Sequence, residues 1–415
     1  MSDEYAIRLE PGYAAWRLRD TIGQVASAYG IAPAPERGAI PVAAALVLAP
    51  GSTEEGLCDA VAGACRAHRR LSIVLDGWVR ERSAGGTDLG IGVSFAPDSE
   101  RFAADLRAAL APVAAGGSCG RRPAAPVARG LDGALMRELW AGLGMRPGLI
   151  ERLLLAVVPR RIRKPRYIRP VLLPADICRV SVLRNGAVFR TLDLPSGSWL
   201  SPAEADDPAR WQETLRAYRR ERGFECTAPA YAPGHQVYVI SDLHLGHANI
   251  IHYCARPFCF ADPDEMDAVL VGNWNAVVKP ADRVLYVGDL SYNRRGAPVR
   301  DLKNQLAGRV TYVRGNHDAG IRDAEESLRL TYGGVDFLLV HDPKDAPDGF
   351  SGWVVHGHTH NNRLATHPFF DPMHRRFNVS AEVTGYRPVP LALLAEMARR
   401  SEATGTGTPL LVRDR

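Results

Sequence analysis

Five short apolar runs in the second half of this chain each stop on residues that can bind a metal. "VYVI" leads into Ser241-Asp242-Leu243-His244, "VLYV" into Gly288-Asp289 and "VTYVR" into Gly315-Asn316-His317-Asp318. "FLLV" leads into His341-Asp342, and "WVV" into His356-Gly357-His358-Thr359-His360. Apolar runs this short, bounded by polar residues, read as buried strands, and stretches such as "DEMDAVLVGNWNAVV" between them read as helix. Strand ends that each present polar ligands describe an α/β sheet with its site outside the carboxyl edge.

Asp242, His244, Asp289, Asn316, His341, His358 and His360 offer oxygen and nitrogen donors, enough for two divalent ions bridged by Asp289. With no thiolate among them, Mn, Fe, Zn or Ni is favoured over a soft copper site. Two such ions roughly 3.5–4 Å apart polarise a phosphoryl oxygen and activate water, so hydrolysis of a phosphoester is the expected reaction. In "HGHTH", residues two apart on an extended segment face the same way, which would turn His358 and His360 to one metal pair. Gly357 would let the backbone approach closely. His356 shares their parity and could equally stay in the strand as a packing residue.

The motifs D-x-H, G-D, G-N-H-D, an isolated H and G-H-x-H together resemble the calcineurin-like metallophosphoesterase family over residues 237 to about 395. The resemblance implies a β-sandwich flanked by helices. It also implies Asp242, His244, Asp289 and His360 around one metal, with Asp289, Asn316, His341 and His358 around the other. His317 would hydrogen-bond the phosphoryl group and assist the leaving oxygen, and Asp318 would orient His317. The stretches "DLHLGHANIIHYCARPFCF", "NWNAVVKPADRVLYVGD" and "NVSAEVTGYRPVPL" resemble a bacterial and phage subgroup of that family. His247, Asn249 and Arg256, just past the first motif, and Arg314, before the third, are candidates for touching substrate.

The first half has a different character. Residues 1–230 hold 31 Lys and Arg against 25 Asp and Glu, whereas the remainder holds 20 against 21. Of 12 histidines only His68 precedes residue 235. At 415 residues two domains are expected, here 1–222 and 237–400, with "RGFECTAPAYAPGHQ" supplying a linker over 223–236 and a loosely ordered tail over 401–415. "YAIRLE", "IPVAAALVLAP", "LSIVLDGW" and "LGIGVSFAP" predict strands. "STEEGLCDAVAGACRAHR" predicts a helix capped by Ser52 or Thr53, and "DSERFAADLRAALAPV" a second, amphipathic one. Asn185-Gly186 within "ICRVSVLRNGAVFRTLDL" predicts a type I′ hairpin, followed by a basic helix, "PARWQETLRAYRRERG".

That order of strands and helices over residues 4 to about 222 resembles the 2H phosphoesterase or 2′-5′ RNA ligase-like family, whose fold is a two-lobed α+β domain. Members act through two H-x-T/S motifs. Here the corresponding segments read "IPVAAAL" and "RKPRYIRP", so a noncatalytic copy is expected; His68, at a helix end, suits the helix dipole.

Within "PRRIRKPRYIRP", Arg161, Arg163, Lys164 and Arg166 with Tyr167 form a basic cluster with an aromatic residue, either a surface for RNA or nucleotide phosphates or a solvated face. Cys254 and Cys259 flank "ARPF" near His247 and His252, a set that lacks the paired knuckles of structural zinc sites. The seven cysteines are odd in number and scattered, which fits reduced thiols. The acidic start and the lack of a long apolar run predict a cytoplasmic protein without a membrane span. The expected whole is a metallophosphoesterase acting on a phosphodiester or phosphomonoester, with a nucleotide or RNA end as substrate. The alternatives are a phosphatase on a phosphoprotein or small metabolite, and a nucleic-acid-binding protein with a structural metal site. Oligomeric state is not fixed by the sequence.

Overall fold

A computed structural model describes residues 2–68, 71–118, 123–145, 148, 151, 168, 171–226, 228–292, 299–318, 321–405 and 407–413. The chain divides into two compact units, Met1–Thr214 and Leu215–Arg415. The basic cluster from Arg161 to Tyr167 lies outside the described residues.

The first unit is α+β and built on antiparallel pairing. One sheet has the order β10-β9-β8-β1-β2-β5, formed by β1 (Tyr5–Glu10), β2 (Ile40–Leu48), β5 (Ala114–Ser118), β8 (Arg179–Arg184), β9 (Ala187–Asp193) and β10 (Ser198–Leu200). The other has the order β6-β4-β3-β7, formed by β3 (Leu71–Ser83), β4 (Gly86–Phe95), β6 (Ala124–Leu131) and β7 (Leu172–Ile177). Ile7 and Leu9 on β1 and Ile73 and Leu75 on β3 are buried at alternate positions, whereas β4 and β8 are buried continuously around Ile91 and over Arg179–Leu183.

Local signals read from the sequence act as expected in this unit. Helix α1 (Ala15–Tyr29) precedes β2, and α2 (Glu54–Ala67) starts where the Thr53 hydroxyl accepts the Gly56 N–H at 3.1 Å. His68 ends α2 and pairs with Asp105 at 2.8 Å, on α3 (Phe102–Leu110). Asn185 and Gly186, both at positive φ, turn β8 into β9. Helices α4 (Gly133–Gly142), α5 (Pro202–Asp206) and α6 (Pro208–Glu221) follow in chain order, and the division between the units falls inside α6.

The second unit holds a two-sheet α/β arrangement. In the first sheet β11 (Val237–Ile240), β12 (Arg283–Val287) and β13 (Arg309–Val313) run parallel, and β19 (Val389–Pro390) pairs antiparallel with β11. In the second, β15 (Val335–Val340), β16 (Trp353–His356) and β18 (Arg376–Asn378) run parallel between the edges β14 (Leu328–Tyr332) and β17 (Phe370–Asp371). The strands that lead into the candidate ligands are thus shared between two sheets, as the β-sandwich expectation has it, rather than forming the single sheet that their spacing suggested. The sheets join where Ser241, one residue past β11, bridges to Ser380.

Around them lie α7 (Asn249–Tyr253), α8 (Pro263–Val277), α9 (Val299–Lys303), α10 (Ala381–Thr384) and α11 (Leu391–Thr404). The Asp262 side chain accepts the Glu265 N–H at the start of α8, with Pro263 in the first turn, the placement that suits both residues. Trp274, on the buried face of α8, packs with Tyr286 and donates its indole N–H to Ala307.

Two expectations about segment order differ from the structure. Residues 223–236 are packed along α8: Asn273 bonds both Cys226 and Phe224, and Ala230 donates to Ala276. Their backbone groups find fixed partners, which a free linker's would not. Likewise, the described part of the last segment, 401–405 and 407–413, has fixed partners: α11 continues to Thr404 and Leu410 pairs with Phe370. Among the described residues no helix is long and apolar enough to cross a membrane.

Candidate metal centre

At the strand ends of the second unit the backbone turns abruptly. Asp242 (φ 58°), His244 (φ 51°), Asp289 (φ 60°), His358 (φ 65°) and His360 (φ 48°) are all in the left-handed region. Each such residue costs about 1–3 kcal/mol and persists only where its surroundings fix it. This corrects the alternation argument for His358 and His360. Strand β16 ends at His356, and the two imidazoles are brought together by a tight turn in which Thr359 N–H donates to Gly357 O.

Two glycines make room for these turns. A Cβ on Gly357 would overlap the Asp242 carboxylate and lie 2.9 Å from Ser241 Cβ. A Cβ on Gly315 would overlap the Asp289 amide and carboxylate, with Asp289 Cγ at 2.9 Å. The glycines of the sequence motifs are therefore steric requirements for bringing the loops together.

The converging side chains form two buried groups, Asp242-His244-His360 and Asp242-Asp289-His341, whose ligand atoms lie within 4.8 Å of one another. His360 Nε2 is 3.5 Å from Asp242 Oδ1, and His244 Nε2 is 3.8 Å from the same oxygen. Asp289 Oδ2 is 3.6 Å from His244 Nε2 and 3.3 Å from His341 Nε2. Asn316 Oδ1 lies 3.0 Å from both His341 Nε2 and His358 Nδ1. All seven expected ligands are therefore brought to one place. His341 is oriented from behind, its Nδ1–H donating to Val287 O at 2.9 Å, which aims Nε2 at Asp289.

The electrostatics match the packing. Burial opposes ionisation of Asp242, but His360, His244 and His341 hold its carboxyl well below the usual range. Asp289 is lowered in the same way, against burial, chiefly by His341. Burial alone would lower His341, yet Asp289 and Asp242 raise it to about 9. By contrast, burial pushes His356 down to about 3. His356 donates from Nδ1 to Gly357 O and remains a strand residue, fully buried.

The donor set fits divalent cations. His244 is 3% exposed, yet neither of its ring nitrogens has a hydrogen-bond partner among the described residues. An unsatisfied buried group of this kind costs about 1–3 kcal/mol, and a cation shared with Asp242 and Asp289 would relieve it. Hard carboxylate and amide oxygens mixed with imidazole nitrogens suit Mn, Fe, Zn or Ni.

A cavity of about 500 Å³ opens onto this cluster. His247, Asn249, Tyr253, Tyr292, His317 and Asn362 are in its wall. His247 packs on Tyr292 at 4.3 Å between ring centroids, and His317 meets Tyr292 edge to face at 4.9 Å. His247 and Asn249 thus line the cavity beside the cluster, and His317 stands exposed there.

Three candidate residues have other duties. Arg256 is fully buried: it donates to Leu243 O at 2.8 Å and Asp242 O at 2.7 Å and pairs with Glu382 at 2.7 Å. All its donors on these groups face inward, so it holds the loop instead of substrate. Arg314 is spent on Glu326, Ile321 O and Ala324 O and is not in the cavity wall. Asp318 does not orient His317 through its carboxylate, which accepts the backbone N–H groups of Asp289 (2.7 Å), Gly315 (2.9 Å) and Leu290 (3.0 Å). It ties the loop after β13 to the loop after β12.

The cysteine set near residue 254 also resolves differently. Cys254 and Cys259 are buried thiols, and His252 stacks on Phe260. Among the described residues Cys254 falls in a metal-competent group with His360 and Glu382, without Cys259, His247 or His252. Glu382 was not singled out in the sequence. Its signal is an acid inside an apolar stretch, between Ala381 and Val383, all three of which are buried.

Residues 236–372 match the calcineurin-like phosphoesterase superfamily domain. The uncharacterized protein MJ1445 of Methanocaldococcus jannaschii is 39% identical over 173 residues, which are 41% of this chain and 96% of that protein. A protein of unknown function from Aquifex aeolicus, AQ665, is 19% identical, with a TM-score of 0.29 over 39% of this chain and 99% of its own. Vacuolar Protein Sorting 29 from Cryptosporidium parvum is 21% identical, with a TM-score of 0.23 over 37% of this chain and 80% of its own.

Proposed function

We propose, from the premise that the chain belongs through its second unit to the calcineurin-like phosphoesterase superfamily, that it hydrolyses a phosphodiester or phosphomonoester of a nucleotide or RNA end at a centre of two divalent ions. The observation that carries this reading is the buried imidazole of His244, which makes no ring hydrogen bond among the described residues and faces the carboxylates of Asp242 and Asp289. In the proposed assignment Asp242, His244, Asp289 and His360 hold one ion, and Asp289, Asn316, His341 and His358 the other. When bound, the ions supply Lewis-acid polarisation of the phosphoryl group and an activated water.

The remaining steps belong to the side chains. His317, exposed in the cavity wall and fixed at its backbone by an N–H bond to Asp289 Oδ1, hydrogen-bonds the phosphoryl group and gives a proton to the leaving oxygen. Asp318 keeps that loop in register with Asp289. His247 and Tyr292, with Tyr253 47% exposed nearby, offer ring faces for a planar base, while Asn249 offers an amide and Asn362, whose Nδ2 bonds the Cys254 sulfur, an amide oxygen. These aromatic walls favour a nucleotide over a compact metabolite. The first unit, with its two antiparallel sheets and without paired histidines, serves in this proposal as a noncatalytic 2H-like domain that positions substrate.

The test is turnover by full-length, Mn-loaded protein of matched monoester and diester reporters and of 2′,3′-cyclic nucleotides, with Asp289→Asn as control. Diester or cyclic cleavage lost in Asp289→Asn supports the reading. Monoester-only cleavage indifferent to the base moves it to a phosphatase. No turnover with any metal overturns it in favour of a binding protein.

A further inference from the structure

Asp242 and His360 lie far apart in sequence, yet one buried ion pair touches both. The Glu382 carboxylate accepts the Nδ1–H of His360 at 3.1 Å. The opposite nitrogen of that ring, Nε2, is the one that faces Asp242 Oδ1 at 3.5 Å. Glu382 is in turn gripped by Arg256, whose Nε donates to Oε1 at 2.8 Å while Nη2 lies 2.7 Å from the same oxygen. The remaining guanidinium bonds reach the carbonyls of Asp242 and Leu243 and the Met266 sulfur. The side chains of Arg256 and Glu382 are 0% and 2% exposed.

Two of these contacts, to His360 and to the Asp242 carbonyl, end on proposed ligands of one metal position. Glu382 sets which nitrogen of His360 is free, and Arg256 sets the peptide that carries Asp242. Asn316, His341 and His358 have no direct bond to the pair among their described contacts; a link between the two positions is the His358 backbone N–H, which donates to the Asp242 carboxylate at 3.1 Å, while the His358 ring is held by Asn316. The thiol of Cys254 lies in the same group, but the guanidinium beside Glu382 already supplies the positive charge there, so that group is not a separate cation site.

We propose that Glu382 and Arg256 are positioning residues that preorganise the Asp242/His360 metal position and leave the Asn316/His341/His358 position unaffected. This rests on the dinuclear reading above. Carboxylates behind metal-bound imidazoles commonly change metal affinity by about 10–100-fold when removed, so selective loss of one position is the expected signature. A merely structural pair would lower thermal stability without choosing between positions.

The experiment is Co(II) titration of the metal-free, full-length protein, followed by visible ligand-field absorption, for wild type, Glu382→Gln, Glu382→Asp and Arg256→Lys. Wild type takes up two equivalents. Glu382→Gln is expected to bind the first with unchanged affinity and the second at least tenfold more weakly, and Glu382→Asp, which keeps the charge, is expected to recover part of the loss. Asn316→Ala serves as the reciprocal case, weakening the other position. If Glu382→Gln does not fold, Arg256→Lys must show the same selective loss. Equal affinities at both positions in whichever variants fold overturn the proposal. Binding is read without turnover, so failure of the hydrolase reading and failure of the brace give different results.

Discussion

The carboxylate of Asp318 accepts the backbone N–H of Asp289 at 2.7 Å, so a residue beyond β13 fixes the peptide of the proposed bridging carboxylate that follows β12. The same carboxylate also holds Gly315 and Leu290. Burial raises its pKa against the pull of these three amides.

Replacing Asp318 by Asn removes the charge and turns an amide N–H toward backbone donors. Hydrogen bonds to a charged group contribute about 1.5–3 kcal/mol each, so a stability loss of roughly 2 kcal/mol is expected, together with at least a tenfold fall in kcat at unchanged KM. Denaturant unfolding and steady-state kinetics check this. A raised KM with kcat retained would contradict the loop-tying role.

Gly357→Ala is expected to disrupt the centre while sparing the rest of the fold. The added Cβ overlaps the Asp242 carboxylate, and overpacking of this kind costs about 1–3 kcal/mol. Metal content by elemental analysis should fall below one equivalent with far-UV circular dichroism unchanged. Full metal content in the variant would show that the turn has slack that its contacts do not display.

Arg314 and His247 make a contrasting pair. Arg314→Ala breaks bonds to Glu326, Ile321 and Ala324 only and should leave kcat/KM within about threefold, in line with a surface substitution. His247→Ala removes a ring from the cavity wall and should raise KM for a nucleotide several-fold, stacking being worth about 1–3 kcal/mol per base, with little effect on a methyl ester of the same phosphate class. Equal effects on both substrates would remove His247 from base recognition.

Acid sensitivity should come partly from a histidine pair away from the cavity. Burial lowers His356 to about 3, and burial followed by the Arg376 and Arg363 charges lowers His367 to about 4. Their rings meet at 5.4 Å. Both folded values lie below the unfolded value of 6.5, so the unfolded chain binds more protons in between. Their contribution to stability is therefore complete above pH 6.5 and is lost as pH falls through 4 and 3. Thermal unfolding midpoints between pH 7.5 and 4.5 should fall less steeply in His367→Gln than in wild type; parallel curves would contradict this.

What could be read from the sequence was local. The strand ends at Asp242, Asp289, Asn316, His341 and His358, the Thr53 cap and the Asn185-Gly186 turn each follow from residues within a few positions of one another. The partition of β11–β13 and β15–β16 into two sheets follows from the motif resemblance, which implies a β-sandwich, and not from periodicity, which does not encode which strand pairs with which. The turn at His358 and His360 was missed since parity arguments hold only while the chain stays extended, and β16 stops at His356. Arg256 and Arg314 looked available because an arginine's partners, here Glu382 and Glu326, are not marked at its own position. Glu382 itself was hidden for the same reason, being paired across |i−j| = 126 with Arg256.

The most direct test of the central claim is the metal dependence of phosphoester hydrolysis by the full-length protein, stripped with chelator and reloaded with Mn, compared with Asp289→Asn treated identically. The account predicts no turnover when stripped, recovery that saturates near two equivalents of Mn, and loss of at least a hundredfold in Asp289→Asn with the fold intact. Turnover that survives stripping, or an Asp289→Asn protein as active as wild type, would contradict it.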